Sequence, residues 1–294
     1  MGISLVLIYK FVMKDSLIGV INYNLGAQEA AVLRGILLGD KSAFSKDFYR
    51  KLIDSGLVHL MVASGTNVML LSRLLIEKSS YLLGRKWAIV WGLVLLWGYA
   101  GMVGFEAPIV RAAFLISFYY WAQLLGRKFD VGRALIVTVV LMLLVRWEFI
   151  KQVGFWLSLI SFWAITSREK SFLGRKFSGV VGETLWVSLW VSPLLSMVFG
   201  RVNLIGVVSN VLVLFLVEIV SVLGVFGIGL CLFSLERVVF WLLFPALRYI
   251  VLVVEWGSGV KMGNIGFQIN WVLMVGLYLL MIYGVKKIDG KKRT

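Results

Sequence analysis

Long apolar runs recur between residues 57 and 286, many of them set apart by short loops that carry Lys and Arg. A helix needs roughly 20 apolar residues to cross a bilayer, and a soluble core has no room for so many runs of that length. The chain has 294 residues and is 60% hydrophobic, above the usual share for soluble domains. The ten-residue alternation of barrel strands is missing from the runs. The expected fold class is therefore all-α, a polytopic integral membrane bundle. The net charge of +15 fits cytoplasmic loops of such a protein and does not by itself indicate a nucleic-acid partner.

The sequence divides into three parts. Residues 1–56 read as amphipathic, interfacial helices, residues 57–286 as the polytopic body, and residues 287–294 as a basic cytoplasmic tail. Residues 2–22 are interrupted by Lys10, Lys14 and Asp15, and read as an interfacial helix or a poor first span. In 25–56, Ala30, Leu33, Ile36 and Leu37 share a helical stripe, with Gln28, Glu29 and Arg34 off it. Gly39-Asp40 should end that helix. Ser42 or Ser45 can cap a second piece that sets Phe44, Phe48, Leu52 and Ile53 against Lys46, Arg50 and Lys51. Both pieces read as surface helices.

Basic loops then fix the expected crossings. The first span is 57–76, followed by hairpins of 87–103 with 105–125 and of 134–145 with 153–166. The segments 179–199, 204–233, 238–256 and 271–286 follow, nine apolar segments in all, from which about eight crossings are expected. The positive-inside rule puts the end of 57–76 and the tail in the cytoplasm, and the start of 57–76 near the outer face. At thirty residues, 204–233 is long for one crossing, and a break near Glu218 or Gly224 is expected.

The residue inventory limits the chemistry. One His (His59) and one Cys (Cys231) build no zinc or two-metal centre of the usual kinds, so no metal and no cofactor is expected. Cys231, inside an apolar run, reads as packing. Ser64 and His59 suggest a nucleophile and its base, but five residues set them about 140° apart on a helix. The chain is read as a non-enzyme.

The stretch Ser55 to Leu71 concentrates polar groups in an apolar run: His59, Ser64, Thr66 and Asn67. His59 and Asn67, eight residues apart, fall about 80° apart on a helix and can share one edge. They either line a water-filled vestibule or make interfacial and interhelical hydrogen bonds. Arg111 either binds an anion or pairs with Glu106 or a carboxylate of another span. Glu183, Asn210 and Glu218 lie in apolar surroundings and read as structural pairs or as parts of a proton-coupled step.

Several motifs occur in a fixed order: Leu38-Gly39-Asp40, Ser55-Gly56-Leu57 with His59-Leu60 and Ser64-Gly65, and Pro108-Ile109-Val110-Arg111-Ala112. Gly154-Phe155-Trp156-Leu157-Ser158 follows, then Pro193, Phe199-Gly200, Asn203 and Asn210. This series resembles the competence domain of the ComEC family, the channel for single-stranded DNA uptake in transformable bacteria, over about residues 30–220. The family usually has a second histidine where this chain has Asn67, which hydrogen-bonds but cannot become a cation.

The resemblance implies a multi-pass protein of the bacterial cytoplasmic membrane that passes single-stranded DNA. His59, Ser64, Asn67 and Arg111 would lie along its path, with Lys46, Arg50 and Lys51 as external basic guides. The implied partners are single-stranded DNA, the lipid bilayer, further copies of the chain, and separate DNA-binding, nuclease and motor proteins. The alternative is a proton-coupled secondary transporter or lipid-handling membrane protein using Glu183 or Glu218.

Overall fold

A computed structural model describes residues 15–58, 65–176, 179–200, 202–203, 205–230, 236–260, 264–265 and 269–290. Helix α1 covers residues 15–24, α2 Ala27–Leu38 and α3 Lys46–Asp54, with a 3₁₀ turn at Lys41–Ala43. Helix α4 (Gly65–Arg73) continues through a π-helical turn (Leu74–Lys78) into α5 (Ser79–Leu83). Then come α6 (Arg85–Val103), α7 (Ala107–Leu124), α8 (Val131–Val145), α9 (Val153–Lys170), α10 (Phe172–Lys176) and α11 (Gly179–Phe199). The chain continues with α12 (Ile205–Leu230), α13 (Glu236–Gly259) and α14 (Trp271–Gly290). A two-residue strand pair, β1 (Val202–Asn203) antiparallel to β2 (Asn264–Ile265), is a small departure from the all-α expectation.

Among the described residues, four helices are long and apolar enough to cross a membrane: Arg85–Val103, Val181–Val198, Val208–Val225 and Arg237–Gly259. Large apolar side chains stand outward on them, among them Val94, Leu189, Phe215 and Leu242. Such faces suit hydrocarbon and would be costly in water.

Contacts group the chain into two compact units. The first comprises residues 1–49, 58–149 and 215–252. Its centre holds α2, whose Ala30, Val32, Leu33, Ile36 and Leu37 are buried. This corrects the expectation of a surface helix, because two of the residues lying off the stripe, Glu29 and Arg34, have partners. Glu29 meets Arg248 of α13 at 3.4 Å, and Arg34 Nη2 meets Asp40 Oδ2 at 2.5 Å. The Tyr99 hydroxyl donates to the Leu37 carbonyl at 2.8 Å, occupying an acceptor that the helix end leaves open.

The expected break in α12 is not found, since the helix runs unbroken for 26 residues. Gly224 is instead a contact point. A Cβ there would stand 2.6 Å from Leu37 Cδ1, so its missing side chain lets α12 close on α2. Lipid tails are as apolar as leucine, so close approach at small residues holds membrane helices together where hydrophobic burial cannot. Gly92 of α6 works the same way against Ile76, which the π-helical turn carries.

The second unit comprises residues 50–57, 150–214 and 253–294. Ala164, Trp186 and Trp190 form its core, with Tyr278 and Met281 of α14 packed on them. The Trp163 and Trp190 rings meet edge to face at 4.5 Å between centroids. Trp186 Nε1 donates to the Ala164 carbonyl at 2.9 Å, and the Tyr278 hydroxyl to the Trp190 carbonyl at 2.9 Å. In this unit Gly257 of α13 closes on Ser55 and on Ser209 of α12.

Candidate functional site

The first Ser-Gly of the central stretch ends a helix. Gly56 adopts φ 74°, the Gly56 N–H donates to the Ile53 carbonyl (3.1 Å) and Leu57 N–H to the Leu52 carbonyl (3.0 Å). That is the Schellman closure, and glycine takes its left-handed position without strain. Leu57 and Val58 are therefore not helical, which corrects the expected start of the first span at Leu57. The described helix begins at Gly65 and runs, with its π-helical turn, to Leu83.

Gly65 is the tightest point of α4 against α7. A Cβ there would stand 3.2 Å from Ala112 Cβ, 3.3 Å from the Pro108 carbonyl oxygen and 3.9 Å from Arg111 Nη2. Two motifs that lie some forty residues apart in sequence thus meet at the first turns of α4 and α7. Below that crossing the helices share an apolar cluster of Val68, Leu71, Leu96, Tyr99, Ile109 and Ala113. Arg111, next to Ala112 in α7, is half-buried.

The start of α7 is set by its own chemistry. Gly104 and the positive-φ residue Phe105 (55°) turn the chain back from α6, and Pro108 fits the first helical turn, where its missing N–H is not needed. The N-cap residue Glu106 holds Lys41 at 3.5 Å. Lys41 follows the Leu38-Gly39-Asp40 motif, whose Asp40 is a hub. Its Oδ2 takes Arg34 Nε (3.1 Å) and Nη2, and its Oδ1 takes Ser42 N–H (3.2 Å) and Oγ (2.6 Å). Three sequence landmarks, around Asp40, Gly65 and Arg111, are therefore tied together within the first unit.

Other expected site residues stand as follows. His59 and Ser64 lie outside the described residues, as does Cys231. Asn67 is in α4, with its side chain outside the description. On α3, Lys46 and Arg50 are exposed and Lys51 is half-buried. Phe48 and Leu52 are buried on the opposite side, so the helix is amphipathic as expected, and Ser45 Oγ caps it by accepting from Phe48 N–H (3.1 Å). Glu183 pairs with Arg168 at 3.3 Å, and Glu218 is exposed on α12. Asn210 is half-buried, its Oδ1 enclosed with no hydrogen bond among the described residues.

Sequence reasoning did not foresee the approach of Gly65 to α7, nor the Lys41–Glu106 pair, although it weighed Glu106 as a partner for Arg111. The available signal was the small residue in each motif, Gly65 in one and Ala112 in the other. Small residues mark the places where membrane helices cross closely.

Long apolar helices with outward-facing aliphatic side chains define a helical membrane protein. The family model described as "Competence protein" matches residues 36–289, and the chain belongs to that family. It is also 24% identical over 210 residues to the uncharacterized protein YcaI of Escherichia coli strain K12, covering 65% of this chain and 28% of that protein. The chain thus spans little more than a quarter of that relative's length. No solved structure matches it.

Proposed function

We propose that this protein passes single-stranded DNA across the bacterial cytoplasmic membrane during competence, as a conduit that cleaves no bond itself. The observation that carries this reading is the family match across residues 36–289, which takes in the crossing of α4 and α7. Half-buried Arg111 beside the close Gly65 contact is suited to a phosphate group, because guanidinium binds oxyanions bidentately. His59, Ser64 and Asn67 belong to the same path. The exposed Lys46 and Arg50, with Lys51, attract the strand to its entrance through their charge.

In this reading the chain crosses the membrane about eight times, α3 lies at the interface, and the tail is cytoplasmic. Separate DNA-binding, nuclease and motor proteins supply capture, strand separation and driving force, and several copies of the chain can assemble together. The proton-coupled alternative has less support, since Glu183 is already paired with Arg168 and Glu218 is exposed on α12 rather than enclosed.

The test is passage of a strand into vesicles. Purified protein in liposomes, with its soluble partners supplied, should admit a fluorescent single strand and exclude the same sequence as a duplex. Vesicles that admit neither, or both alike, would remove the reading.

A further inference from the structure

An open cavity of about 330 Å³ lies in the first unit between the end of α1 and the first turns of α13. Tyr23 and Asn24 line it from α1, and Arg237, Phe240, Trp241 and Phe244 from α13. Positions 237, 240, 241 and 244 are spaced i, i+3, i+4 and i+7, so they form one helical stripe. Phe240 is the buried floor, while Tyr23 (78% exposed) and Trp241 (77% exposed) stand at the rim.

The same stripe carries a second arginine one turn beyond Phe244, and the two differ in one respect. Arg248 has the Glu29 carboxylate at 3.4 Å. Arg237 makes no ion pair or hydrogen bond among the described residues. It also stands at the very end of the apolar stretch Arg237–Gly259, where a spanning helix meets the headgroup layer. Trp and Tyr collect at that level of a bilayer, and a cation there is satisfied by anionic lipid.

The geometry points to this cavity as a binding site for an anionic phospholipid, the Arg237 guanidinium holding the headgroup phosphate. Asn24 Nδ2 is turned back to the Val20 carbonyl (2.9 Å), which directs its oxygen to accept from a headgroup hydroxyl, as in phosphatidylglycerol. The rings of Phe240, Trp241 and Phe244 pack the glycerol and upper acyl carbons. Exposed Val238 and Leu242, one turn apart on the same flank of Trp241, continue the groove onto an apolar face that acyl chains cover. A nucleic-acid strand is the weaker fit, because it needs a track of cations and the cavity has one. The site does not depend on strand passage, and either activity can fail without the other.

Native mass spectrometry of the detergent-solubilised protein tests it. Wild type should retain phosphatidylglycerol in preference to phosphatidylcholine of the same acyl chains. Arg237→Gln should weaken retention about fivefold, the effect of one cation at a membrane surface. Phe244→Ala should weaken it without changing charge, and far-UV circular dichroism checks that both variants remain helical. Equal retention by wild type and Arg237→Gln, or no preference between the two lipids, overturns the proposal. So does glycerol 3-phosphate binding as tightly as the whole lipid, which would mean a plain phosphate site. Displacement of the lipid by a single-stranded oligonucleotide would assign the cavity to nucleic acid instead.

Discussion

The crossing of α4 with α7 and the core formed by α9, α11 and α14 solve one problem in opposite ways. At the crossing, side chains are removed so that backbones can touch: Gly65 faces Ala112 and the Pro108 carbonyl. In the other core, space is filled by rings, with Trp186 and Trp190 buried and their neighbours edge to face. Ring packing gains from dispersion, and Trp186 spends its Nε1 internally on the Ala164 carbonyl. Close backbone packing leaves a charged residue, Arg111, half-buried at its edge. One region is built to hold shape. The other holds shape and leaves a cation half-buried beside the contact.

This contrast can be broken from either side. The largest effect on stability is expected at Trp186. Trp186→Ala removes a wholly buried ring and its hydrogen bond, and should destabilise the protein by about 3–5 kcal/mol, read as earlier unfolding in a detergent melt. A melt unchanged from wild type would mean that the rings are not the core they form here. Gly65→Val should act more weakly on stability, by about 1–3 kcal/mol of overpacking, because α4 must move off the Pro108 carbonyl. Its effect on strand passage should exceed what the stability loss explains. Passage that falls only in step with the melt would make Gly65 a packing residue alone.

Much of the helical framework was legible in the sequence. The hairpin of α6 and α7, and α11 at Gly179–Phe199, lie almost where apolar runs and basic loops place them. Hydropathy reads such segments directly, since a bilayer demands continuous apolar length. Three features were not legible: two depend on partners far along the chain, and the third on a local turn. Helix α2 looks amphipathic until Glu29 is matched with Arg248, more than two hundred residues away. Gly224 looks like a break until Leu33 and Leu37 fill its place. Leu57 looks like the start of a span because hydropathy does not register the Schellman closure at Gly56.

The candidate site was legible as residue types rather than as an arrangement. Gly65 and Arg111 were both singled out in the sequence, but only the fold puts Arg111 Nη2 within 3.9 Å of the space that a Gly65 side chain would take. Glu183 and Glu218 were equal candidates in sequence. The fold separates them, one paired with Arg168 and the other exposed on α12.

Arg111 carries the central claim, and the direct measurement is strand entry into vesicles by wild type, Arg111→Lys and Arg111→Gln, each matched for melting temperature. If the guanidinium meets the strand, Arg111→Gln should slow passage by about tenfold, the loss of one charge-assisted contact, with Arg111→Lys in between. Arg111→Gln passing the strand at the wild-type rate while remaining folded would contradict the account.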